Sequence, residues 1–175
     1  RLLSAPVLLM LAFTGRFEWF RWLIGFSFFT DAIDGPLSRW YKVTSPFGAL
    51  LDSFADDATV LVATISLWFF FPEFLRSQWI YIAIVFSLFA VQTMAALILY
   101  GKVTSFHTYL AKTAAVAQAL FFLFIFLDLK GLYVMYYTAI AITAVQLIEE
   151  IIIIFVLKKW KTNVKGLYWV LKEQH

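Results

Sequence analysis

The sequence has no cysteine, only two histidines, four prolines and seven glycines, and charged residues fill just 14% of its 175 positions. Without a thiol there is no disulfide, no nucleophilic cysteine and no zinc held through sulfur. No Pro/Gly/Ser-rich linker and no internal repeat divides the chain, so it is read as one domain over residues 1–175. A formal net charge of +3, spread over separate loops, makes no basic face for nucleic acid. Hydrophobic residues make up 63% of the chain, against roughly 45–50% in a soluble domain. The mean hydropathy of +0.85 is too high for one water-soluble core. This composition implies an integral membrane protein.

Apolar stretches run near 2–13, 19–33, 47–71, 79–100, 114–127 and 132–157, separated by turn-forming punctuation such as Thr14-Gly15-Arg16, Thr44-Ser45-Pro46 and Gly101-Lys102. They predict an all-α, six-span polytopic bundle with no strands. The first stretch is shorter than the ~20 residues a span needs. Together with Arg1 in place of a methionine, it leads us to expect that some N-terminal sequence is missing. The second must continue through polar residues to Arg39 to reach full length, and Pro36 is expected to distort it. With six spans both termini lie on one side, and ten of the fourteen lysines and arginines fall on that side. The positive-inside rule makes it cytoplasmic. Trp160, Tyr168 and Trp169, beside the C-terminal lysines, read as interfacial aromatics, with attraction to anionic lipid as a further possibility.

Embedded in this apolar sequence is a polar constellation spanning twenty-six residues. Asp31, Asp34, Gly35, Ser38 and Arg39 form D-x-x-D-G-x-x-S-R; after a gap of eight residues Gly48, Asp52 and Asp56 form G-x-x-x-D-x-x-x-D. A charged side chain at the bilayer centre costs roughly 2.5 kcal/mol or more unless paired or solvated, so four acids here call for a function. Spacings of three and four residues put each Asp pair on one helical face. Carboxylates without thiolate or imidazole are hard oxygen donors suited to Mg²⁺ or Mn²⁺, and two such ions would bind a diphosphate while neutralising the acids. Gly35 and Gly48 permit close approach to the backbone, and Arg39 offers a fixed fork of donors for phosphate.

The constellation resembles the signature of the CDP-alcohol phosphotransferase family, D-x-x-D-G-x-x-A-R followed by G-x-x-x-D-x-x-x-D, with Ser38 in place of the usual alanine. Arg1 and Pro6 are also similar to the R-x-x-x-x-P stretch of the family's first helix. The resemblance implies that Asp31, Asp34, Asp52 and Asp56 hold two Mg²⁺ or Mn²⁺ ions in a polar cavity open to the cytoplasm. It implies that Asp56 also takes the proton of the attacking hydroxyl, and that Asp31, Gly35, Ser38, Arg39 and Gly48 line the CDP site. The implied reaction moves a phosphatidyl group from a CDP-linked lipid to an alcohol with release of CMP. A homodimer is implied as well. Asp57, turned away from Asp52 by helical geometry, is assigned no role.

For the acceptor, Lys102, His107, Lys112, Glu149 and Glu150 are the candidates. Thr108 to Ala115 resembles, incompletely, an S-x-x-G-K-x-x-T stretch of members that use phosphorylated acceptors, which favours a small polar alcohol or alcohol phosphate such as glycerol 3-phosphate or inositol phosphate. Glu149 and Glu150 lie inside the last apolar stretch, where a carboxylate needs a partner, and as neighbours they cannot both face one groove. The alternatives are a cardiolipin-type enzyme with a lipid acceptor, and a non-enzymatic metal-binding or transport protein.

Overall fold

A computed structural model describes residues 4–40, 46–104, 106, 108–157, 159–162 and 164–172; for 31, 32, 34–40, 46, 47, 49, 50, 52 and 53 it describes the helical backbone alone. Among the described residues every regular element is a helix, as a backbone in hydrocarbon requires when it must satisfy its own hydrogen bonds. In chain order these are α1 (Ser4–Phe13), α2 (Phe17–Trp40), α3 (Pro46–Phe70), α4 (Pro72–Tyr100), α5 (Tyr109–Phe126), α6 (Leu132–Val156) and α7 (Leu167–Lys172). Among the described residues three helices, α4, α5 and α6, are long and apolar enough to cross a membrane. The helix α2 does reach beyond Arg39, and Pro36 does not end it. Sequence periodicity had not marked α7, whose six residues follow a stretch without regular structure.

The chain divides after Gln78 into two compact units. In the first, α1 packs on both α2 and α3. The buried positions recur at helical spacing: Ala5, Leu8 and Ala12 on α1, Phe20, Ile24 and Ser27 on α2, and Ala55, Thr59, Val62, Ala63, Ser66 and Leu67 on α3. Many are small, which lets helix backbones approach closely where lipid supplies no hydrophobic drive. Their hydroxyls are satisfied locally: Thr59 donates to the Ala55 carbonyl at 2.8 Å and Ser66 to that of Val62 at 2.7 Å. Ser27 reaches across to the Ser4 hydroxyl at 3.3 Å.

In the second unit α5 and α6 form a hairpin, turned by Asp128 and Gly131, both at positive φ. Phe121, Phe122, Ile125 and Phe126 of α5 and Tyr136, Ala139 and Leu147 of α6 are buried. Phe121 and Tyr136 meet across the hairpin with ring centroids 5.2 Å apart. At the other end, Ala96 of α4, Ile153 and Ile154 of α6, Phe106 of the α4–α5 loop and Val164 and Val170 of the C-terminal segment close a second core. The Tyr100 hydroxyl donates to the carbonyls of Ile154 at 2.6 Å and Leu157 at 3.0 Å, so α4 and α6 end together. The outward faces of α4 stay apolar, with Ile98 78% exposed, as a lipid-facing surface should be.

Candidate functional site

The polar constellation falls on two elements of the first unit. Asp31, Asp34, Gly35, Ser38 and Arg39 occupy the C-terminal half of α2, and Gly48, Asp52 and Asp56 the N-terminal half of α3. Helical backbone through both stretches gives the Asp pairs their expected axial offsets, about 4.5 Å for Asp31 and Asp34 and about 6 Å for Asp52 and Asp56. Pro46 opens α3, a position where the missing N–H costs nothing. The side chains of Asp31, Asp34, Ser38, Arg39 and Asp52, and Gly35, lie outside the described residues. Gly48 is exposed. Asp56 is half-buried, between buried Ala55 and exposed Asp57, at the edge of the face that α3 turns to its own core. Among the described residues no group of three or more metal-ligating side chains converges, three of the four motif acids falling outside them.

The acceptor candidates belong to the second unit. His107 lies outside the described residues. Thr108, on its C-terminal side, is fully buried and accepts from the Ala111 N–H at 3.0 Å, so it serves as the N-cap of α5. The Lys102 ammonium lies 4.8 Å from the Trp160 ring centroid and that of Lys112 5.6 Å from Tyr109, both at distances of cation–π attraction.

Glu149 and Glu150 diverge. Glu150 is buried, with Oε2 accepting from the Gln92 amide at 2.8 Å and Oε1 from that of Gln146 at 2.7 Å; the same Gln92 amide also donates to Thr104. Glu149 instead turns toward α7, where Oε1 accepts from the Leu167 N–H at 3.0 Å, and its Oε2 is buried with no hydrogen-bond partner. Gln92, Thr104 and Gln146 were missed by sequence reasoning. Two signals were available: Gln92 is a lone amide in an apolar run, and Gln146 precedes Glu150 by one helical turn.

A family model described as CDP-alcohol phosphatidyltransferase matches residues 1–157, across both units and including the whole constellation. The chain belongs to this family. No curated protein and no solved structure matches it. Members of the CDP-alcohol phosphatidyltransferase family transfer a phosphatidyl group from a CDP-alcohol to an alcohol, so the chain is a transferase of phospholipid synthesis. The match ends at Leu157, one residue past α6; the lysines and aromatics that follow, and α7 itself, lie beyond the family domain.

Proposed function

We propose that the chain transfers the phosphatidyl group of CDP-diacylglycerol to a small polar alcohol or alcohol phosphate, releasing CMP. The observation that carries this reading is the complete acid constellation on the continuous helices α2 and α3, within the matched domain. The acceptor hydroxyl oxygen attacks the phosphorus that bears the diacylglycerol and forms a new P–O bond. The bond from that phosphorus to the bridging oxygen breaks, and CMP leaves with the bridging oxygen. Asp56 takes the hydroxyl proton, its half-buried position on α3 keeping the carboxylate beside the core yet reachable. Arg39 binds the diphosphate oxygens through its fork of donors. Gly35, Ser38 and Gly48, with Asp31, line the nucleotide.

Asp31, Asp34, Asp52 and Asp56 would hold Mg²⁺ or Mn²⁺, which fit an all-carboxylate donor set and supply charge neutralisation for the diphosphate and the leaving group. Both oxygens of Glu150 already carry amide donors, and Glu149 holds α7, so acceptor recognition is assigned to Lys102, His107 and Lys112. The cationic character of that set favours an alcohol phosphate. In the second unit the ends of α4 and α6 carry most of the lysines, whereas the α5–α6 turn carries Lys130 alone, which supports a cytoplasmic placement of the lysine-rich end. The six-span plan, the cytoplasmic cavity and a homodimer complete the reading.

The test is CMP release by the purified protein with CDP-diacylglycerol and Mg²⁺ or Mn²⁺, adding glycerol 3-phosphate, inositol phosphate, inositol, serine and phosphatidylglycerol singly. Stimulation by an alcohol phosphate supports the reading, and stimulation by phosphatidylglycerol alone replaces it with the lipid-acceptor reaction. Loss of the base typically costs 10²- to 10⁴-fold. Asp56→Asn is therefore expected to lower turnover by at least about 100-fold while the protein stays folded; wild-type turnover in that variant removes Asp56 as the base.

A further inference from the structure

The segment after the family domain is built into the fold rather than trailing from it. The helix α6 ends at Val156, and its 25 residues span about 37 Å, more than the hydrocarbon core needs, so the chain leaves it at a membrane interface. It then turns back: the first N–H of α7 reaches Glu149, seven residues before Val156 and hence about 10 Å down the helix. That depth matches the headgroup and acyl boundary, where interfacial helices lie. Val164 and Val170 are buried in the second core, the Tyr109 N–H donates to the Lys165 carbonyl at 3.2 Å, and Trp160 Nε1 donates to the Val103 carbonyl at 3.2 Å. The segment is fixed at both ends.

What it presents outward is of one kind. Lys159, Lys161, Lys165 and Lys172 are exposed, and between them stand the exposed rings of Trp160, Tyr168 and Trp169. Aromatic rings at headgroup level, interleaved with lysines, complement a surface that is apolar below and negative above. A soluble acidic partner would match the lysines but leave the rings and the inward turn without a purpose.

We propose that residues 159–172 form a rigid platform that binds anionic phospholipid headgroups, with Glu149 as the residue that latches it to α6. The proposal stands apart from the transferase reading, since none of these residues belongs to the constellation on α2 and α3.

The experiment uses the full chain in phosphatidylcholine vesicles carrying spin-labelled phosphatidylserine or spin-labelled phosphatidylcholine, and reads the motionally restricted fraction of each. Phosphatidylserine is chosen because it is neither a CDP-lipid nor an acceptor of the reaction above. The wild-type protein is expected to prefer phosphatidylserine, with the preference falling as salt rises. Each lysine-to-glutamine change among Lys159, Lys161, Lys165 and Lys172 lowers the preference by up to about fivefold, and Lys130→Gln at the opposite end leaves it intact. The catalytically impaired Asp56→Asn protein keeps it, which separates this proposal from the proposed reaction. Equal association of both lipids with the wild type overturns the proposal. So does a preference that survives the four lysine changes or, if the quadruple variant fails to fold, survives both Lys161→Gln and Lys172→Gln made singly.

Discussion

Glu150 shows how one residue type serves different ends within this chain. Its carboxylate is buried on α6 and closed by the amides of Gln92 and Gln146, so it works as a junction between α4 and α6. The acids of the constellation have no amides at such spacing in their own helices, which is why they read as sites and Glu150 as fold. Removing one partner of a buried network costs more than the bond itself, because the remaining donors stay dehydrated. Glu150→Ala is expected to destabilise the detergent-solubilised protein by about 1–3 kcal/mol, read as a fall in Tm. Replacing Gln92 by leucine in that background should cost less than the two single changes together, since the amide N–H that faced Glu150 has already lost its acceptor and only the donation to Thr104 remains to be removed. An unchanged Tm for Glu150→Ala would show that water or another group replaces the carboxylate.

At the scale of elements, α7 depends on a glycine. Gly166 precedes it with φ near +150°, and a Cβ there would lie 3.0 Å from Glu149 Oε1 and 3.3 Å from the Trp169 ring. An alanine would therefore be strained in its backbone and pressed against the latch itself. Gly166→Ala is expected to loosen α7 without unfolding α4, α5 or α6, and to speed tryptic cleavage after Lys165 and Lys172 by about fivefold or more, consistent with about 1–3 kcal/mol of lost docking. Cleavage at the wild-type rate would mean the segment is held by its valines alone. The longer helices were legible in the sequence because turn residues end them, and even the buried face of α6 was partly marked. In an apolar helix the polar residues point inward, and Thr143, Gln146 and Glu150 recur at spacings of three and four. The short α7 carries no such mark, because six residues are too few to show a period.

For the whole molecule, the proposed transferase must neutralise four acids drawn from two helices, and Arg39, which the proposal gives to the diphosphate, cannot balance them alone. The proposal therefore includes divalent ions. Chelation is therefore expected to reduce CMP release at least about 100-fold, with Mg²⁺ or Mn²⁺ restoring it, as suits a hard-oxygen site. Activity in chelator within a few-fold of the metal-loaded rate would remove the ions from the mechanism.

The sequence by itself determined the membrane character, the long helices, the family and the order of the motif residues, because each is written in composition or in spacings within a single helix or one connection. Only the tertiary structure decided where Glu149 and Glu150 turn, that Thr108 is spent as a cap, and that the segment beyond Leu157 folds back on α6. Gln92 and Glu150 are 58 positions apart, and Glu149 and Leu167 are joined across a reversal of the chain. Such contacts follow from how helices pack, and in a sequence apolar on nearly every face the local pattern does not say which face meets which.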